Sequence, residues 1–169
     1  VDVGGDHSFI GGGTLRVKGA VNIGQASSAQ PTLLFNDGKM IVDGGSFVAR
    51  NGYRLGGQTG AAAETILTNG ANMTMTTSGG NIRVGDASNP VTIRFTMDNS
   101  TLTLAGGNVS IPYADGATSI VSQVGGTISG GSINFNHAGV GKGIYTNKNG
   151  TVEAVQIKKN TAGGQSEIH

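Results

Sequence analysis

The chain has 169 residues, 11 basic and 10 acidic side chains, a formal net charge of +1 and no cysteine. That balance gives no electrostatic case for nucleic acid or an anionic membrane, so neither a nucleic-acid partner nor membrane insertion is expected, and the missing thiols exclude disulfides and thiolate metal sites. Thirty-one glycines, five phenylalanines and no tryptophan leave little bulk for a thick interior, which predicts a slender all-β object rather than a globule.

Residues 1–20 read as opening strands forming a hairpin, broken at Gly11-Gly12-Gly13, with one dry face along Thr14-Leu15-Arg16-Val17-Lys18. The same region holds the first of six glycine pairs, each followed by a small polar residue and then a β-type apolar one. These are Gly12-Gly13-Thr14-Leu15, Gly44-Gly45-Ser46-Phe47, Gly79-Gly80-Asn81-Ile82, Gly106-Gly107-Asn108-Val109, Gly125-Gly126-Thr127-Ile128 and Gly130-Gly131-Ser132-Ile133. Glycine adopts positive φ without steric cost and Ser, Thr or Asn can bond nearby backbone, so each pair predicts a turn that releases into a strand.

Residues 21–111 carry degenerate β repeats of roughly thirty residues. Ile23-Gly24-Gln25-Ala26-Ser27 runs into Thr32-Leu33-Leu34-Phe35, Leu55-Gly56-Gly57-Gln58 into Thr65-Ile66-Leu67-Thr68, and Val84-Gly85-Asp86-Ala87-Ser88 into Thr92-Ile93-Arg94-Phe95. Alternation in Asn72-Met73-Thr74-Met75-Thr76 and Ser100-Thr101-Leu102-Thr103-Leu104 again gives one dry face per strand. Ala61-Ala62-Ala63-Glu64 is the one good helix-forming run, and its place in the repeat favours strand or turn. The spacing slips between copies, which argues against a fixed-length solenoid. Residues 112–131 form a glycine-rich transition that starts at Pro112. Residues 132–169 are a C-terminal strand-turn-strand region, where Asn149-Gly150 predicts a hairpin.

Chemistry is sparse along this chain. Asp2, Asp6, Asp37, Asp43, Asp86, Asp98 and Asp115 are expected to cap turns through their own backbone, and no pair of them can be proposed for glycoside hydrolysis, so no catalytic residue is assigned. His7, His137 and His169 are isolated, which predicts no metal and no cofactor unless a trimer gathers three copies of one histidine on its axis. Gly139-Val140-Gly141-Lys142-Gly143 lacks the residues of a phosphate loop, and Gly4-Gly5-Asp6 lacks the tandem aspartates of calcium-binding repeats. Aromatic, amide and basic side chains concentrate at Tyr113, His137, Tyr145, Lys148 and Asn149, the candidates for receptor contact.

The segment from Val21-Asn22-Ile23-Gly24-Gln25-Ala26 through Phe35-Asn36-Asp37-Gly38-Lys39-Met40-Ile41-Val42 has an echo in Ile82-Arg83-Val84-Gly85-Asp86-Ala87 and follows Gly13-Thr14-Leu15-Arg16-Val17-Lys18-Gly19-Ala20. Together these stretches resemble the shaft repeats of trimeric bacteriophage tail fibres. The resemblance covers residues 12–111 at the level of pattern and carries over no catalytic or binding residue. It implies a homotrimer of chains intertwined or side by side, joined to other tail-fibre segments in an extracellular virion, with a host surface glycan or outer-membrane protein as partner. Strands with one dry side and too few large apolar residues for a monomeric core point the same way, because that face can be buried against two further copies. The chain begins Val1-Asp2-Val3 and reads as a fragment of something longer. The expected function is a non-enzymatic fibre segment serving host-cell attachment. The alternative is a monomeric parallel β-helix of a secreted bacterial adhesin or autotransporter passenger, and a polysaccharide depolymerase stands third.

Overall fold

A computed structural model describes residues 2–3, 7–9, 12–23, 32–56, 60–86, 89–135, 140–154, 156–160 and 163–169. Among them every regular element is a strand, and the strands come in threes. The first two triplets are β1 (Asp2–Val3), β2 (His7–Phe9), β3 (Thr14–Val17) and β4 (Ala20–Ile23), β5 (Thr32–Phe35), β6 (Gly38–Asp43). Next come β7 (Ser46–Ala49), β8 (Gly52–Leu55), β9 (Ala63–Thr68) and β10 (Asn72–Met75), β11 (Asn81–Val84), β12 (Thr92–Asp98). The last three triplets are β13 (Thr101–Leu104), β14 (Asn108–Ile111), β15 (Thr118–Val124), then β16 (Thr127–Ser129), β17 (Ser132–Phe135), β18 (Lys142–Lys148), then β19 (Thr151–Glu153), β20 (Gln156–Lys159), β21 (Gln165–Ile168).

Each triplet is one rung of a parallel β-solenoid. The first strand of every rung joins sheet 1 (β1-β4-β7-β10-β13-β16-β19), the second joins sheet 2 (β2-β5-β8-β11-β14-β17-β20), and the third joins sheet 3 (β3-β6-β9-β12-β15-β18-β21). Parallel neighbours need a crossover, and here the crossover from one strand to its partner is the remainder of the rung. All six glycine pairs sit immediately before a strand, as their chemistry predicts: β3, β7, β11, β14, β16 and β17 each begin at the residue after the pair. Ala63-Glu64 opens β9, so the alanine-rich run leads into a strand.

The corner from sheet 3 to sheet 1 is the constant feature. It spans two or three residues in every rung. Its first residue stands in the left-handed region at Gly44 (φ 68°), Asn69 (56°), Asn99 (46°), Gly125 (79°) and Asn149 (64°). Only Gly and, at modest cost, Asn accept that conformation, so this column reads Gly or Asn at these five rungs. Slack goes elsewhere, into connections of two to seven residues between sheets 2 and 3 and of two to five between β7 and β8, β10 and β11, β13 and β14, and β16 and β17. Register therefore survives an uneven repeat: Ser46, Asn72, Thr101, Thr127 and Thr151 stack in one column at spacings of 26, 29, 26 and 24 residues.

Alternate residues point inward and stack like on like. Phe47, Met73, Leu102 and Ile128 form the column of sheet 1; Leu33, Tyr53, Ile82, Val109 and Ile133 that of sheet 2; Met40, Thr65, Phe95, Val121 and Tyr145 that of sheet 3, all buried. Polar atoms that enter this core are satisfied across it: the Tyr53 hydroxyl bonds the Thr65 hydroxyl at 2.5 Å, and the Tyr145 hydroxyl donates to Gln123 Oε1, whose amide donates in turn to the Gly126 and Thr151 carbonyls.

Several expectations are corrected. The apolar content is enough for a one-chain interior, because three facing strands per rung need only one to three apolar side chains each. Uneven spacing does not exclude a solenoid, since the slack lies in the connections. Among the described residues no hairpin forms at Asn149-Gly150 or within residues 1–20: β18 and β19 lie in different sheets, and so do β1, β2 and β3. The first repeat copy is out of phase, because Phe35, not Ile23, registers with Leu55. Asp37 and Asp115 accept backbone N–H groups from Gly12 and Val140, 25 residues away in the adjacent rung, so both tie one rung to the next.

Two predictions follow from this geometry. Asn99→Gly is expected to be tolerated and Asn99→Val to cost about 1–2 kcal/mol by urea denaturation, since a β-branched residue is strained at positive φ; equal stability of the two variants would sink the left-handed-corner account. Burial pushes the Tyr145 phenol from its ordinary 10.0 up to about 12, and that of Tyr53 further. Between those two values only the unfolded chain has lost the Tyr145 proton, so stability is intact below pH 10 and falls as pH rises towards 12. Tyr145→Phe should flatten that alkaline decline in a pH series of unfolding midpoints.

Candidate functional site

On β8 and β11 of sheet 2 the side chain between the inward residues is part-exposed, and the register sets Arg54 of β8 directly opposite Arg83 of β11. Two like charges on neighbouring strands, about 4.8 Å apart, destabilise a sheet unless something offsets them. Asp86 does so. Its carboxylate is fully buried; Arg54 Nε donates to Oδ2 at 2.6 Å, Arg54 Nη2 pairs with the same oxygen, and Arg83 Nη1 lies 3.5 Å from Oδ1. Oδ1 has no hydrogen bond among the described residues, so it is held by that longer ion pair alone.

Backbone places the carboxylate there. Gly85 turns the chain at φ 74°, its N–H donates to the Leu55 carbonyl at 2.9 Å, and the Asp86 N–H donates to the Gly56 carbonyl at 3.1 Å. The segment after β14 returns over the same strands, with the Tyr113 N–H donating to the Val84 carbonyl at 3.2 Å. Arg83 Cζ sits 4.0 Å from the centre of the Tyr113 ring, so its guanidinium is flanked by a carboxylate and an aromatic face.

Beside the two guanidinium groups lies a groove of about 120 Å³ lined by Asn51, Gly52, Arg54, Asn81 and Arg83. A Cβ at Gly52 would stand 2.9 Å from the Asn81 carbonyl oxygen, so glycine is needed where the two strands meet. The Asn81 side chain is braced: its amide donates to the Gly79 carbonyl at 2.7 Å, and its Oδ1 accepts from the Asn108 backbone and side-chain N–H groups at 3.0 Å. Two arginines against one carboxylate leave the site positive, and each arginine side chain keeps about a third of its surface exposed (33% and 30%). The lining contains no carboxylate, and among the described residues no group of three or more His, Cys, Asp or Glu is placed to hold a metal ion. Chemically, the arrangement offers fixed hydrogen-bond donors to an anion.

The receptor-contact candidates do not come together. Tyr113 borders the arginine site. Lys148 and Asn149 are exposed at the corner from sheet 3 to sheet 1, where Asn149 serves the left-handed turn. Tyr145 is corrected from contact residue to core residue: it is 2% exposed because β18 alternates it inward. His137 lies outside the described residues, and so does the side chain of His7. Arg54, Arg83, Asp86, Asn51 and Asn81 escaped the sequence reading as a site, although aligning Leu55-Gly56 with Val84-Gly85 already put an arginine immediately before each. Family models, curated proteins and solved structures yield no match to the chain.

The buried carboxylate makes the cluster asymmetric. Asp86→Ala lets both arginines turn to water and should cost about 1–2 kcal/mol, whereas Arg54→Ala with Arg83→Ala strands a buried charge and should cost about 3–5 kcal/mol in urea denaturation. The opposite ranking would mean that Asp86 is held by something other than the two arginines.

Proposed function

We propose that the chain is a non-enzymatic segment of an extracellular attachment protein, a self-closed β-solenoid of the secreted adhesin or autotransporter-passenger type. The observation that supports this reading is closure of the interior by one chain: from the second rung to the sixth, residues of the inward columns are buried by the other two sheets of the same molecule. A rod of stacked rungs spaces and displays side chains along its length, and its faces carry contact residues without altering the core. The absence of enzymatic activity is part of the proposal. Asp43, Glu64, Asp86 and Glu167 are drawn into ion pairs with Arg16, Lys39, the arginine pair and Lys142, which takes them away from acid–base work.

A segment of a trimeric tail fibre is the second reading, and one observation favours it. Val124 and Val140, 42% and 53% exposed, belong to the fifth and sixth rungs, where parallel copies around one axis would cover them, while Ile157 and Ile168 continue the inward columns of Ile133 and Tyr145 in the seventh.

Native mass spectrometry separates the two, with 16.9 kDa expected for the self-closed segment and three times that for the fibre. Attachment itself is tested by adding the fluorescently labelled chain to a panel of bacterial and animal cells. Saturable binding to at least one is expected; none across the panel sinks the attachment reading, and new reducing ends from any surface glycan would sink its non-enzymatic part.

A further inference from the structure

We propose that the Arg54–Arg83 groove binds a carboxylated polysaccharide, taking one acidic sugar at a time. The inference rests on the attachment reading for its choice of a polymer, while the preference for carboxylate comes from the site itself. Arg54 commits Nε and Nη2 to Asp86, and Arg83 commits Nη1. Among the described residues that leaves Nη1 of Arg54 and the Nε–Nη2 edge of Arg83 as donors, on two guanidinium groups anchored by a buried carboxylate and, for Arg83, by the Tyr113 ring against its face. Donors held in this way lose little side-chain freedom on binding, and guanidinium edges match the two oxygens of a planar carboxylate.

Size and surroundings narrow the ligand. A groove of about 120 Å³ has room for a single acidic substituent and part of a ring, not for a buried small molecule of several hundred Å³. It is bounded along the sheet, because Ser110 and Asn134, at the register positions that follow Arg83 on the next two strands, are buried. Asn51 and Asn81 complete the wall as polar residues. A net charge of +1 for the whole chain argues against a diffuse polyanion surface, since the positive charge at this site is local.

The test is affinity electrophoresis of the chain through gels containing sodium polygalacturonate, neutral dextran or dextran sulfate. Polygalacturonate is expected to retard the protein and dextran to leave it unchanged, with dextran sulfate weaker than polygalacturonate at equal charge. Arg54→Gln with Arg83→Gln and Asp86→Asn neutralises the cluster without leaving a buried charge and should weaken polygalacturonate retention about tenfold or more. Arg54→Lys with Arg83→Lys keeps the charge and should lose the preference for carboxylate over sulfate. Lys158→Gln with Lys159→Gln, on the exposed β20, should change nothing. Retention preserved in the folded Gln/Gln/Asn variant, equal loss in the lysine variant, dextran sulfate binding as tightly as polygalacturonate, or no retention by polygalacturonate would each overturn the proposal. Far-UV circular dichroism verifies that each variant is folded. Polygalacturonate binding without cell binding would leave this site standing and count against attachment; cell binding that survives the Gln/Gln/Asn variant would do the reverse.

Discussion

Parallel, in-register stacking of one rung on the next is the constraint on which everything else in this protein depends. A parallel ladder holds only if each rung delivers its strands at the same height and in the same phase, since a slip of one residue would send an inward column to solvent. The short left-handed corner between sheets 3 and 1 supplies that phase. Its Gly or Asn repeats at five rungs, and after it the chain enters sheet 1 in register whatever length the other connections have.

The same stacking explains how a glycine-rich chain with few large apolar residues builds a dry interior. Each strand contributes one to three inward side chains, and three strands surround them, so the core is a narrow column that lengthens with each rung instead of thickening. Phe47 and Tyr53 meet edge to face with ring centres 5.6 Å apart, and the Tyr53 hydroxyl reaches Thr65 across the interior. Glycine matters at the contacts between rungs as well as at the corners. At Gly143, for example, a Cβ would run into the Ile111 backbone.

Register also creates the most distinctive chemistry on the surface. Stacking like on like is favourable for Met73 on Phe47 and unfavourable for Arg83 on Arg54. The fold tolerates the second because a carboxylate is buried beneath the two guanidinium groups. That makes the cluster a structural anchor for the chain after β11 and, at the same time, a rigid pair of donors facing outward. One arrangement serves both purposes, since a side chain held to stabilise a connection is also oriented for a ligand.

Local chemistry determined much of this protein by itself. Glycine pairs ahead of Thr, Ser or Asn placed six strand starts, and alternation chose the buried residues of β3, β10 and β13, because both signals act within a few residues of backbone. Which strands pair was decided only by the tertiary structure. Asn at positive φ suits this corner as well as a hairpin, and nothing near Asn149 says whether the next strand returns beside β18 or departs into another sheet. What covers the dry faces within the chain was likewise a question of closure, which depends on strands some 25 residues apart meeting in space. The arginine site was half visible: the repeat alignment put Arg54 and Arg83 at equivalent positions, but their distance of one strand and the burial of Asp86 between them exist only once β8 and β11 lie side by side.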